Sequence, residues 1–241
     1  MKKLLYFLIV ILITTGCKDE NILSPDKSRT FKVLIENVSV PNTLATPRIN
    51  GTAPLSHGVY AVLTSGDLFT LGQPSDEGTS RIAEDGFTTV KTNDLNNISG
   101  ITDHGEFVAP GGPDTGAAIF AGESSMFFVR ANPGEMLQIE TMFVQSNDWF
   151  YSFIDGGLDL FDNNSNPVRG DVTSKLLLYD AGTEIDDPPG TGPFQKPVQG
   201  PTQMNFGPDD PVNMITDARA RHTNFTIPPT TSVIRVTVTP Q

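Results

Sequence analysis

Residues 176–192 read Leu176-Leu177-Leu178-Tyr179-Asp180-Ala181-Gly182-Thr183-Glu184-Ile185-Asp186-Asp187-Pro188-Pro189-Gly190-Thr191-Gly192. The stretch opens as an apolar run and ends as a loop dense in oxygen ligands. Leu176, Leu177 and Leu178 fit a strand packed on both faces or a core-facing strand end. Asp180, Gly182 and Thr183 break the run, and Pro188, Pro189 and Gly190 stop any helix or central strand from continuing. Four carboxylates, those of Asp180, Glu184, Asp186 and Asp187, fall within eight positions, with no Lys or Arg between Lys175 and Lys196. Like charges packed at a strand end cost free energy unless water or a cation screens them. A solvated acidic loop meets that need, and so does a hard cation such as calcium, which takes about six to eight oxygens.

Outward from this strand the chain is punctuated at short intervals. Phe31, Val33 and Ile35 alternate with polar neighbours, and Val38 and Val40 resume after Asn37. Residues 58–63 are apolar, and a Ser65-Gly66-Asp67 turn precedes a second short run, Leu68-Phe69-Thr70-Leu71. Residues 125–131 and 136–144 are the strongest strands, joined by an Asn132-Pro133-Gly134-Glu135 turn. Turns flank residues 158–161, and Ile234, Val236 and Val238 share one face of a last strand. A single helical turn is expected over residues 78–84, ending at Gly86. Residues 93–105 and 109–116 read as loops, and residues 190–211 as a long Pro/Gly-rich surface crossing. With 22 Gly, 19 Pro and no sustained helical periodicity, this predicts an all-β fold, an antiparallel β-sandwich with long surface loops.

Tyr179-Asp180-Ala181-Gly182-Thr183-Glu184 resembles the W/Y-D-A-G-T-D/E motif of the spondin domain of matrix and bacterial secreted proteins. Met142-Phe143-Val144-Gln145-Ser146-Asn147-Asp148-Trp149 resembles that family's S-P-D-W segment, about thirty residues upstream there and here. The Gly170-Asp171-Val172-Thr173 turn and residues 190–195 are similar to the bacterial branch, and the resemblance spans roughly residues 31–240. It implies a C2-like antiparallel sandwich with structural calcium (Ca2+) in loops at one end. It also implies the metal ligands: Asp148, Asp180 and Glu184. Glu184 stands where the animal proteins have Asp. Asn147 stands where the family has Pro, which leaves the aspartate in place and loosens the loop. Whether Asp186 or Asp187 joins the shell stays open. Extracellular calcium modules often bind with dissociation constants on the order of 10⁻⁴–10⁻³ M.

Residues 1–16 form a targeting segment: Lys2 and Lys3, an unbroken apolar run over 4–13, then Thr14-Thr15-Gly16 before Cys17. The run is shorter than the ~20 residues that span a bilayer. Cys17, the chain's one cysteine, sits where a bacterial lipobox places the residue to be lipidated, although Thr14 replaces the usual Leu. An ordinary cleaved signal peptide is the plainer reading. Lipidation at Cys17 would anchor the protein to the membrane and leave no free thiol. Residues 17–30 then form a lipidated tether and residues 31–241 the sandwich domain. Lys18-Asp19-Glu20 resembles a surface-export signal of some Gram-negative lipoproteins, which points to display on the extracellular face of the outer membrane.

The formal charge of −12 becomes −14 once the two lysines of residues 1–16 are removed. That argues against nucleic acid, whose binding needs clustered Lys and Arg. His57, His104 and His222 lie far apart in sequence, with His57 and His104 in expected loops, so their spacing gives no support to a zinc site. No Gly-x-Ser-x-Gly elbow marks a nucleophile. Asp103, Asp114 and Glu123 carry no assigned role. Trp149, Phe150, Tyr151 and Phe153 offer an aromatic platform for a glycan or protein, against the plainer reading of core packing.

Three functions follow as expectations. The first, favoured by the resemblance, is a non-catalytic, surface-anchored adhesion module that holds calcium and binds an extracellular glycan or protein. The second is a secreted polysaccharide hydrolase with two carboxylates across a groove. The third is a structural subunit of an envelope or matrix assembly, carrying a flat apolar patch or an open strand edge.

Overall fold

The computed structural model describes residues 27–112, 117–200 and 204–241. The leader, Cys17, residues 18–26 of the tether, and Asp114 lie outside the described residues. Two antiparallel sheets carry the chain. The first has the order β4 (Ser124–Ala131), β1 (Arg29–Asn37), β11 (Ile234–Pro240), β8 (Gly170–Asp171). The second runs β10 (Thr216–Asp217), β9 (Leu176–Asp180), β6 (Trp149–Phe153), β5 (Met136–Phe143), β2 (Leu55–Leu63), β3 (Ile101–Phe107). A short β7 (Leu158–Asp159) also pairs with β5. The protein is an all-β sandwich.

The core between the sheets follows from period-2 patterning. Phe31, Val33 and Ile35 of β1 and Val236 and Val238 of β11 meet Ile139, Trp149, Tyr151 and Leu178 of the second sheet. The second sheet is buried on its outer face as well, which is why its strands read as apolar runs. Leu176 and Leu178 enter the inter-sheet core, while Leu177 and Tyr179 face a second cluster with Val59, Ala61, Phe69, Ile82, Leu95 and Phe150.

Two helices cover that outer face. α1 (Glu77–Asp85) begins at Asp76, whose Oδ1 accepts from Thr79 N at 2.8 Å, and ends at Gly86 in the left-handed region. α2 is Thr89–Leu95. A fully buried Lys91 ties them down: its Nζ donates to Leu68 O (2.6 Å), Thr79 Oγ1 (2.7 Å) and Asp76 Oδ2 (2.8 Å). Glu140 of β5, also fully buried, lies 3.6 Å from the same ammonium.

The helical region was under-read in the sequence. α1 is nine residues rather than one turn. The expected loop over 93–105 contains the end of α2 and most of β3, whose Ile-Thr-Asp-His-Gly-Glu-Phe shows neither alternation nor an apolar run. Leu68 and Phe69, read as strand, are irregular chain that plugs the second core. His57 and His104 are strand residues rather than loop residues. Among the described residues no helix is long and apolar enough to cross a membrane.

Candidate metal centre

The site is built where β6 and β9 end. Trp149 pairs with Asp180 across the two strands, and Ala181 N donates to Asp148 O at 3.0 Å. Asp148 and Asp180 therefore lie side by side, both with no solvent exposure. Asp148 Oδ2 gathers the following loop, accepting from Thr183 N (2.7 Å), Thr183 Oγ1 (3.0 Å) and Glu184 N (3.0 Å). Its Oδ1 has no hydrogen-bond partner. Asp180 Oδ1 accepts from Gly182 N at 2.7 Å. Gly182 has φ +70°, and a Cβ there would stand 2.3 Å from Met214 O, so the turn admits only glycine.

β10 adds a third segment. Thr216 pairs with Asp180, and Asp217 then caps the four-residue helix α3 (Ala218–Arg221) through Arg219 N at 2.8 Å. The helix turns the chain back, so Arg221 and His222 lie over Asp180. Arg221 Nη1 is 3.0 Å from Asp180 Oδ2, and Nη2 pairs with Asp210. His222 Nε2 lies 2.8 Å from Asp180 Oδ2 with hydrogen-bond geometry, and 2.9 Å from Asp186 Oδ2 without it. The imidazole packs against both Trp149 and Phe225, at centroid distances of 5.3 and 4.9 Å.

Asp186 is the least satisfied group. Its side chain is 1% exposed, yet neither oxygen has a hydrogen-bond partner. The Trp149 indole N–H sits beside it without full hydrogen-bond geometry. Burial, opposed by His222 and aided by Asp180, raises the Asp186 carboxyl to about 6. Burial and then the charges of Asp186 and Asp180 push Asp148 well above the carboxylate range. Burial works against charge on His222, but Asp180 and Asp186 outweigh it and hold the imidazole at about 9. Asp180, Asp186 and His222 each place one donor atom within 4.8 Å of the others.

The structure thus brings together two of the three acids that the resemblance named, and gathers others. Glu184 contributes its backbone N–H to Asp148, but its carboxylate turns away: Oε1 accepts from Gly207 N at 2.8 Å. There, burial raises it to about 7. Asp186, left open in the sequence, joins Asp180, whereas Asp187 N donates to Asn147 Oδ1 at 3.1 Å. Asn147 does not loosen its loop. It is fully buried, and its Oδ1 also lies 3.4 Å from Gln195 Nε2. Trp149, Phe150, Tyr151 and Phe153 are at most 1% exposed, so they are core and not a platform. His222 and Arg221 were invisible in the sequence because only the β10–α3 return brings them near Asp180.

Compared with protein-family models and with curated proteins, the chain matches none. Its chemistry therefore rests on its own residues. A divalent cation fits this donor set in kind. Asp148 Oδ1 and both Asp186 oxygens are buried carboxylate atoms lacking the hydrogen bonds such atoms require, and neighbouring acids add to the burial that disfavours charge on Asp148 and Asp186.

Next to the site, Thr183 faces a polar groove of about 660 Å³, lined also by Glu77, Arg81, Glu84, Asn205 and Asp209.

Proposed function

We propose that this protein is a non-catalytic, surface-anchored adhesion module of spondin type, in which a structural divalent cation pins two acidic loops. The observation that carries the reading is the set of buried carboxylate oxygens without a hydrogen bond on Asp148 and Asp186, beside Asp180. Burial of all three side chains supports a structural role, since a substrate would have to displace the loops to reach them. The resemblance implies calcium for this position. Backbone and side-chain hydrogen bonds already join residues 144–148 to 180–187, and the cation would offset the repulsion between their carboxylates.

The partner is an extracellular glycan or protein, and we place its contact at the polar groove beside Thr183. Hydroxyl, amide and charged groups line that groove, which suits hydrogen-bonding ligands. The anchor is the membrane, through lipid on Cys17, with the domain displayed on the outer face. Palmitate labelling lost in Cys17→Ser, and protease access on intact cells, test those two steps.

Thermal unfolding of the purified full-length chain, with EDTA and then with millimolar divalent cation, tests the centre. A ligand bound only to the native state must stabilise it. The parent's melting temperature should rise and that of Asp180→Ala should not. Equal melting of both proteins in both buffers would sink the reading.

One observation favours the assembly-subunit alternative. β4 ends its sheet and turns Met126 and Phe128 outward, 54% and 50% exposed. The hydrolase alternative keeps its carboxylates: Glu77, Glu84, Asp209 and Asp210 line the groove, and burial raises Glu84.

A further inference from the structure

The cation's chemical class can be read from which donor atoms converge, and this step rests on the cation reading above. Asp148 Oδ2 is spent on three donors, Asp180 Oδ1 on Gly182 N, and Glu184 Oε1 on Gly207 N. The carboxylate atoms left without a hydrogen bond are Asp148 Oδ1 and the two Asp186 oxygens; Asp180 Oδ2 and His222 Nε2 bond each other at 2.8 Å, with Arg221 Nη1 3.0 Å from the same oxygen. The atoms that converge, from Asp180, Asp186 and His222, are carboxylate oxygens and one imidazole nitrogen. Calcium takes about six to eight oxygens and has little affinity for nitrogen. A first-row transition metal accepts imidazole with carboxylate, and zinc needs only about four ligands.

We propose that the centre is a mixed nitrogen–oxygen site for a transition-metal dication such as zinc, with Asp180, Asp186 and His222 as its ligands. His222 Nε2 lies within 2.9 Å of an oxygen from each of Asp180 and Asp186, so the three donors already converge. On coordination the metal takes the place of the Nε2 proton otherwise given to Asp180, and that proton is released. The ring is held for this role by contact with both Trp149 and Phe225. Glu184, the acid that the resemblance offers as a ligand, has no part in the site.

The test uses the purified full-length chain, stripped with EDTA and exchanged into chelator-free buffer. Cobalt(II) is the optical probe, with zinc and calcium compared as ligands in melting curves and in calorimetry. The expected result is visible d–d absorption that saturates at a single equivalent of cobalt and is displaced by zinc. Zinc should bind at least about tenfold tighter than calcium, following ligand softness. His222→Gln and Asp186→Asn should each abolish the cobalt bands, and His222→Gln should erase the preference for zinc. If His222→Gln does not fold, the parent's spectrum and Asp186→Asn still decide. Tighter binding of calcium than zinc, or a parent without cobalt bands, overturns the nitrogen donor and leaves the cation reading standing. No response to any of the three ions overturns both.

Discussion

Gly182 and Asn147 set the shape of the centre one residue at a time. Gly182 combines a positive φ with contact against the Met214 backbone. Gly182→Ala should therefore cost more than about 2 kcal/mol in chemical denaturation, since strain and clash add. Asn147 stitches Asp187 N to its own loop, with weaker contacts to Gln195 and Glu184. Asn147→Ala should cost about 1–3 kcal/mol, the usual penalty for orphaning buried polar partners. An unchanged denaturation midpoint would show that these contacts are dispensable. At this scale the sequence was half legible. Asp148 and Asp180 stood out because a motif resemblance and local acid density marked them. The same motif groups Glu184 with them, whereas its carboxylate accepts from Gly207 N, which no local pattern brings near. His222 and Arg221 reach Asp180 only through strand pairing of Thr216 with Asp180, so linear spacing could not reveal them. A faint signal was present: Asp217 as a helix cap just after Ile215-Thr216, with Arg221-His222 one turn on.

Between the elements, the helical cover on the outer sheet face hangs on the Lys91–Glu140 pair. Breaking a buried pair by removing one partner costs about 3–5 kcal/mol, so Lys91→Met should lower the unfolding free energy by that order. Burial first, with Lys91 pulling the other way, places the Glu140 carboxyl at about 7 against an ordinary 4.5. The folded state then binds this proton more firmly than the unfolded chain. Its stabilisation is complete below about pH 4.5 and is lost as pH rises through about 7. Glu140→Gln should gain on the parent between about pH 5 and pH 8 in melting temperature. A constant difference across that range would show that Glu140 does not titrate there. The strands were legible wherever alternation or an apolar run was strong, as in β1, β4, β5, β9 and β11. β3 and α2 were not, because Asp103, His104 and Glu106 obscure the pattern at the sheet's edge. The Lys91 anchor also escaped, since a lysine in a helix reads as solvated until tertiary contacts bury it.

Taken whole, the molecule is a −12 chain that buries a cluster of acids at one loop and exposes Met126 and Phe128 on a strand at one sheet's edge. If β4 is an assembly edge, Phe128→Ser should convert a concentration-dependent oligomer into a monomer in light scattering. If the parent is monomeric at every concentration, the assembly alternative is excluded. The sandwich was readable from turn spacing alone. The closing of three distant segments over Asp180 was not, because it depends on sheet order, which periodicity does not encode.

The central claim is that a cation pins the loops carrying Asp148 and Asp186. Hydrogen exchange at the amides of Thr183, Glu184 and Asp187, measured after EDTA and after restoring divalent metal, tests it most directly. These amides donate to Asp148 and Asn147. Bound metal should slow their exchange by at least about tenfold, leaving strands β1 and β11 unchanged. Identical exchange in both states would contradict the claim and leave His222 and Arg221 as the only cations at the site among the described residues.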